Sequence, residues 1–240
     1  MKPEHTLLHR RHLLLGLGLA GSGLLIPGTA QAQLFGKQKS PSLGLSSILG
    51  KATDGALDKL AQPGAYWNDE DIRIGLPGLG GGQKKSGGLL GDVLGAVGSL
   101  GAIPGLDGIL RGINDAAGKA AGEAKPIFRT AIDDLSFSDA PGIIKQADGG
   151  TQYLRQSSND ALHAKLEPLI DSALSAAGIH AQIERLASGN SVVRQLGFDR
   201  AGINKTVTDQ GLDGIFKYVG NEERGFRKNP LKGLGGLLGQ

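Results

Sequence analysis

The chain has no cysteine among its 240 residues. That excludes disulfides, a thiolate metal site, an iron–sulfur cluster and a cysteine nucleophile. It also excludes a lipoprotein anchored through a cysteine. Histidine is scarce: His5, His9 and His12 sit at the extreme N-terminus, and only His163 and His180 lie further on. Zinc normally takes several His or Cys ligands, so a histidine-rich zinc site is not expected. Aromatic residues make up 4% of the chain (Trp67, Tyr66, Tyr153, Tyr218 and six Phe), too few for a base-stacking platform. No H-E-x-x-H and no G-x-S-x-G is present, which removes the zinc-peptidase helix and the hydrolase nucleophile elbow. Neither a metal nor a cofactor is expected.

What is present begins with an export address. Lys2, Arg10 and Arg11 form a basic segment, Leu13 to Ile26 is apolar, and Ala30-Gln31-Ala32 is a small-x-small cleavage site before Gln33. This is the three-part signal-peptide pattern rather than a membrane span. Arg10-Arg11 followed by His12-Leu13-Leu14, with four glycines in the apolar stretch, suits a twin-arginine signal; an ordinary Sec signal is the alternative, because His9 precedes the pair. Cleavage after Ala32 removes Lys2, Arg10, Arg11 and Glu4, so the formal charge of +3 falls to about +1. Nucleic acid is therefore not an expected partner, since a basic footprint needs clustered surplus charge. The location expected is the periplasm.

Two glycine patterns imitate phosphate-binding loops. Gly16-x-Gly18-x-x-Gly21 lies in the signal peptide with no strand before it, and Gly80 to Ser86 lacks a glycine at the position before the lysine. Neither supports nucleotide binding. The glycine-rich stretch 75–91 and the tail 232–240 are expected to be flexible, as is the segment 33–44 after cleavage.

Between them the periodicity is helical. Leu45, Ile48, Leu49, Ala52, Ala56 and Leu60 form one stripe, with Ser46 or Ser47 available as cap, and Pro63-Gly64 breaks the chain. Ile72, Ile74 and Leu76 alternate as in a short extended segment. Leu89 to Leu100 forms a second stripe, interrupted by Asp92 and so not a membrane span. Leu106 to Ala124 forms a long helix, and Pro126 suits the first turn of a helix running to Leu135. Gly108, Gly112, Gly118 and Gly122 each weaken the long helix, so their four-residue spacing predicts close approach of another helix. Ser138 can cap a short helix ending at Asp148-Gly149-Gly150. Thr151 to Ala177 is a helix that Pro168 should kink and Gly178 should end. Ala181 to Ala187 and Thr206 to Val219 follow. The fold class is all-α: a single irregular bundle of about seven helices over residues 45–231.

Two polar groups stand out. Asp148, Tyr153 and Arg155 surround a helix start, where Arg155 could contact an anion; alternatively Asp148 is a cap and Arg155 a structural ion pair. Asp213, Tyr218, Glu222, Glu223 and Arg227 could form a carboxylate cluster for a divalent cation or acid–base work. Alternatively they are a salt-bridged helix end, with Asp213–Lys217 and Glu223–Arg227 as pairs four apart. His163 and His180 read as surface or paired residues rather than ligands.

Several of these segments resemble one family. Ile113-Asn-Asp-Ala-Ala-Gly-Lys-Ala-Ala-Gly-Glu-Ala-Lys-Pro-Ile-Phe128 is similar to its helix signature. Asp139-Ala140, Thr151-x-Tyr153-Leu-Arg155, and Leu212-Asp-Gly-Ile-Phe216 through Glu222-Glu223 to Arg227-x-x-Pro230 follow in the family's order, and Ile72-Arg-Ile-x-Leu-Pro77 also fits. The family is the exported bacterial one catalogued as domain of unknown function 4197, and the resemblance spans residues 45–231. It implies a helical exported domain of unassigned activity and supplies no catalytic residues. This chain departs from the pattern in its glycine-rich linker at 78–88. It also lacks the aromatic residue expected between His180 and Leu186.

The function expected is non-enzymatic: a periplasmic helical protein binding a protein partner or a small ligand between its helices, with no membrane span in the mature chain. A hydrolase or metal-dependent enzyme using Asp213, Glu222, Glu223 and Tyr153 is the alternative, and a structural envelope protein the second.

Overall fold

The computed structural model describes residues 41–77, 103–136, 142–143 and 145–229, with the side chains of 41–43 and 192 outside that description. The expected helix at Leu89–Leu100, the helix capped by Ser138, the signal segment, the tail and most of the glycine-rich loop lie outside the described residues. Among those described there are eight helices and no strand. They are α1 (Pro41–Leu60), α2 (Ala65–Asn68), α3 (Leu106–Glu123), α4 (Lys125–Asp133), α5 (Gly149–Ala176), α6 (Ile179–Gly189), α7 (Ser191–Gln195) and α8 (Arg200–Lys228). None is long and apolar enough to cross a membrane.

α8 organises the bundle. Its 29 residues span about 43 Å, and it packs chiefly on α1 and α5 while α3 lies across α5. Asp199 caps its start, the carboxylate accepting from the Gly202 N–H at 2.6 Å, and Arg227 and Lys228 sit in its last turn, where the helix dipole favours cations. Its stripe of Ile203, Val207, Leu212, Ile215, Phe216 and Val219 is buried, and Phe216 meets Phe128 of α4 edge-on at 6.2 Å. The expected helix at Thr206–Val219 is thus the middle of a much longer one. The charged run from Glu222 to Lys228 continues the helix, and Glu222, Glu223, Arg224 and Arg227 within it are paired.

Several boundaries are corrected. α1 begins at Pro41, so Ser46 and Ser47 lie inside it and cap nothing. α5 begins at Gly149 rather than Thr151, and the Asp148 side chain makes no capping hydrogen bond to it. α6 extends two residues beyond the expected span at each end, and α7 was not expected at all. Gly178, at φ +68°, stands just past the end of α5, as expected. α5 runs on through Pro168.

The small residues of α3 do allow close approach, but not to one helix. A Cβ at Gly118 would sit 3.0 Å from the Leu60 carbonyl and one at Gly122 3.1 Å from Ala61, whereas one at Gly112 would strike Ile179 of α6 at 2.6 Å. Gly108 faces open space.

Ile72 ends a turn in which the Asp69 carbonyl accepts from the N–H groups of Ile72 and Arg73, and the chain from there to Leu76 is irregular; Ile72, Ile74 and Leu76 are fully buried, and no strand among the described residues receives them. Two side-chain amides substitute for a neighbouring strand. Asn114 of α3 accepts from the Ile74 N–H at 2.8 Å and donates to the Ile74 carbonyl at 2.9 Å. Gln210 of α8 accepts from the Gly75 N–H at 3.0 Å and donates to the Gly75 carbonyl at 2.8 Å. Every buried backbone group needs such a partner. The glycine-rich loop therefore begins later than Gly75, because Gly75 and Leu76 belong to the packed segment. Tyr66 of α2 closes the same region: its hydroxyl donates to the Gly211 carbonyl at 2.9 Å, and its ring passes where a Cβ at Gly214 would stand. Burial raises the Tyr66 pKa far above the ordinary phenol value.

Candidate functional site

The polar residues singled out in the sequence lie along the α5–α8 seam and its margins. Glu223 is fully buried. Its carboxylate accepts from the Gly150 N–H at 3.0 Å, the Thr151 N–H at 2.7 Å and the Thr151 hydroxyl at 2.7 Å. Arg227 donates to it through Nε at 2.9 Å and Nη2 at 2.6 Å. α8 thus supplies the cap that α5 lacks locally: a carboxylate at the positive end of a helix, balanced by an arginine. The Glu223–Arg227 pair expected from spacing is present.

Asp148 accepts from Arg224 and from the Gln152 amide at 2.8 Å. Arg155 donates to Asp213 and lies 5.3 Å from the Phe216 ring centroid. Asp213 therefore pairs across the seam rather than with Lys217, which pairs with Asp71 at 2.6 Å. Glu222 pairs with Lys59 of α1. The Tyr153 hydroxyl donates to the Ser136 carbonyl at 2.6 Å, and the Tyr218 hydroxyl to Asp69 at 2.9 Å. Burial and the Asp69 carboxylate push the Tyr218 pKa up to about 12.

The proposed catalytic set does not converge. Tyr153, Asp213, Glu222 and Glu223 each engage a different partner, and three of those four contacts tie α8 to another helix. Among the described residues no three His, Asp or Glu side chains are grouped so as to hold a metal ion.

One polar cluster escaped the sequence reading. Asp171 of α5 accepts from Arg200 through Nε at 2.7 Å and Nη2 at 2.6 Å, and from the Asn204 amide at 2.5 Å. His180 Nε2 stands 3.5 Å from the same carboxylate. The Arg200 and Asn204 hydrogen bonds hold the Asp171 pKa down to about 2. Burial, then the charge of Arg200, lowers the His180 pKa. His163 is paired as well, with Nε2 2.9 Å from Asp209. No local spacing signals the Asp171 cluster, since its members are scattered over three helices.

The cavity among α2, α3, α5 and α8, lined by Tyr66, Ala117, Ala121, Leu166, Thr208 and Leu212, holds about 10 Å³, roughly one water molecule. The Thr208 hydroxyl has no protein partner there. A wider groove of about 310 Å³ lies open on the surface between Pro104, Ile109, Gln182, Arg185 and Leu186.

A helical domain whose polar residues mainly join helix to helix is the class that fold and seam define. The chain belongs to the family described as a protein of unknown function, DUF4197, whose model matches residues 36–240. That match extends beyond the segment 45–231 on which the resemblance was read. No curated protein matches the chain. No solved structure matches it.

Proposed function

We propose that this is an exported, non-enzymatic domain that recognises its partner at the surface. The observation that supports the reading is the use of the polar side chains. Asp213, Glu222 and Asp148 are each held in an ion pair that joins elements of the bundle, and Glu223 pairs with Arg227 within α8 while its carboxylate accepts from the start of α5, so none is poised for proton transfer or metal binding. The interior version of ligand binding loses its basis, because a drug-sized ligand needs some hundreds of cubic ångströms and the cavity among the helices offers about 10 Å³. Recognition then falls to exposed groups. The signal-like segment ending at Ala32 supports a periplasmic setting. The test is native mass spectrometry of the protein recovered from its own periplasm. A stoichiometric protein or small-molecule adduct that survives dilution supports the reading. A monomer free of adducts, together with turnover of a generic ester, phosphate or peptide substrate, overturns it.

A further inference from the structure

The chain holds one tryptophan, Trp67, at the end of α2. Two guanidinium groups lie against it. The Arg73 guanidinium carbon is 5.0 Å from the indole centroid and that of Arg111, on α3, is 5.2 Å. Both distances fall in the range of cation–π attraction. The residues come from separate elements, so the fold brings two like charges to one ring.

No ion pair joins Arg73 or Arg111 to a carboxylate among the described residues, although Asp107 and Asp115 lie one turn to either side of Arg111 on α3. The other nearby carboxylates are engaged: Asp69 accepts from Tyr218 and Asp71 pairs with Lys217. Arg73 is oriented by its Nε, which donates to the Trp67 carbonyl at 2.6 Å, and among the described residues neither of its Nη groups has an acceptor. Arg111 is exposed, and among the described residues neither its guanidinium nor the Trp67 indole N–H has a hydrogen-bond acceptor. Arg129, Arg155, Arg200, Arg224 and Arg227 each meet a carboxylate, whereas Arg185 and Arg194, like Arg73 and Arg111, are joined to none among the described residues; only Arg73 and Arg111 share an aromatic ring.

We propose that Arg73, Arg111 and the edge of Trp67 form a surface site for a phosphoryl group. Two guanidinium groups joined by no ion pair to a described carboxylate match a dianion, and the planar fork of donors suits phosphate oxygens. Each guanidinium is already held about 5 Å from the same ring before the anion arrives, which lowers the ordering cost of binding. The proposal rests on the reading of the protein as a surface-recognition domain and names the chemistry recognised. The phosphoryl group belongs either to a soluble phosphate compound or to a lipid headgroup.

Trp67 reports on its own site. Titration of the full chain with inorganic phosphate, followed by tryptophan emission and by calorimetry, should give a saturable signal that chloride at equal ionic strength does not reproduce. Arg111→Gln and Arg73→Gln should each raise the half-saturating concentration by about tenfold, the loss of one charge-assisted contact, with helix content unchanged by circular dichroism. Vesicles of phosphatidylglycerol in phosphatidylcholine separate the sources. Binding that both arginine variants lose, and that phosphate displaces only weakly, assigns the lipid headgroup; saturable phosphate binding without vesicle binding assigns a soluble ligand. If phosphate acts only as chloride does and the double variant binds vesicles like the parent, the site is refuted. A protein partner still seen by native mass spectrometry would then leave the broader reading standing.

Discussion

Glu223 and Thr151, 72 residues apart in the chain, share two hydrogen bonds of 2.7 Å through the backbone and hydroxyl of the threonine. α8 therefore caps α5, with α6 and α7 lying between them in the chain. Docking of α8 and nucleation of α5 are one event in energetic terms, because the first turn of α5 is unsatisfied until Glu223 arrives.

Glu223→Ala leaves three donors of α5 and the mostly buried Arg227 without their acceptor. Breaking a buried charged network by removing one partner costs about 3–5 kcal/mol. Glu222→Ala removes only the more exposed pair with Lys59 and should cost under about 1 kcal/mol. Urea unfolding followed by circular dichroism measures both. Equal losses for the two variants would contradict the cap.

The glycines of α3 should separate by neighbour. Gly108→Ala has open space around its new methyl and should gain about 0.5–1 kcal/mol by stiffening the unfolded chain and the helix. Gly118→Ala places its Cβ 3.0 Å from the backbone oxygen of Leu60, which cannot rotate away, and should lose stability. Thermal unfolding midpoints moving in opposite directions are the expected result.

Acid should unfold the protein in two stages through one cluster. His180 is held below its ordinary pKa by burial and by Arg200, with Asp171 and Glu184 acting in the opposite sense. The unfolded imidazole takes up its proton first, so stability is full above about pH 6.5 and declines as the pH falls through the folded value. Asp171, held at about 2, contributes stability that is lost between about pH 4 and pH 2. In urea midpoints measured against pH, His180→Gln should flatten the upper stage. Asp171→Asn should remove the lower stage and also lower stability at neutral pH, because Arg200 loses its carboxylate.

Replacing Arg10 and Arg11 by lysine should stop export and leave the uncleaved chain in the cytoplasm, read by fractionation and by the mass of the N-terminal peptide. Processing after Ala32 that continues unchanged would assign the Sec route instead.

The helices were legible because burial repeats every three to four residues. Leu106, Ile109, Leu110 and Ile113 are all buried as their spacing required. The helix ends were less legible where tertiary contacts act as caps. Nothing local to Gly149-Gly150-Thr151 shows that its capping carboxylate sits on α8. The acidic run near the C-terminus looked like one cluster because its members are close in sequence. On a helix, Glu222 and Glu223 point about 100° apart, and the fold sends one to α1 and the other to α5. Asn114, quoted in the sequence only as part of a helix signature, turns out to hold the backbone of Ile74, which lies in another of the quoted segments.

The two amide clasps on the segment 72–76 have a further consequence. α3 holds the N–H and C=O groups of Ile74, and α8 holds those of Gly75. A buried run of Ile72, Ile74 and Leu76 would otherwise be a template on which a second molecule could add a strand. With the backbone groups of Ile74 and Gly75 held by side chains, the native bundle keeps this buried apolar stretch from meeting its own copies. Asn114→Ala or Gln210→Ala should therefore reveal itself first in light scattering, before any loss of helix.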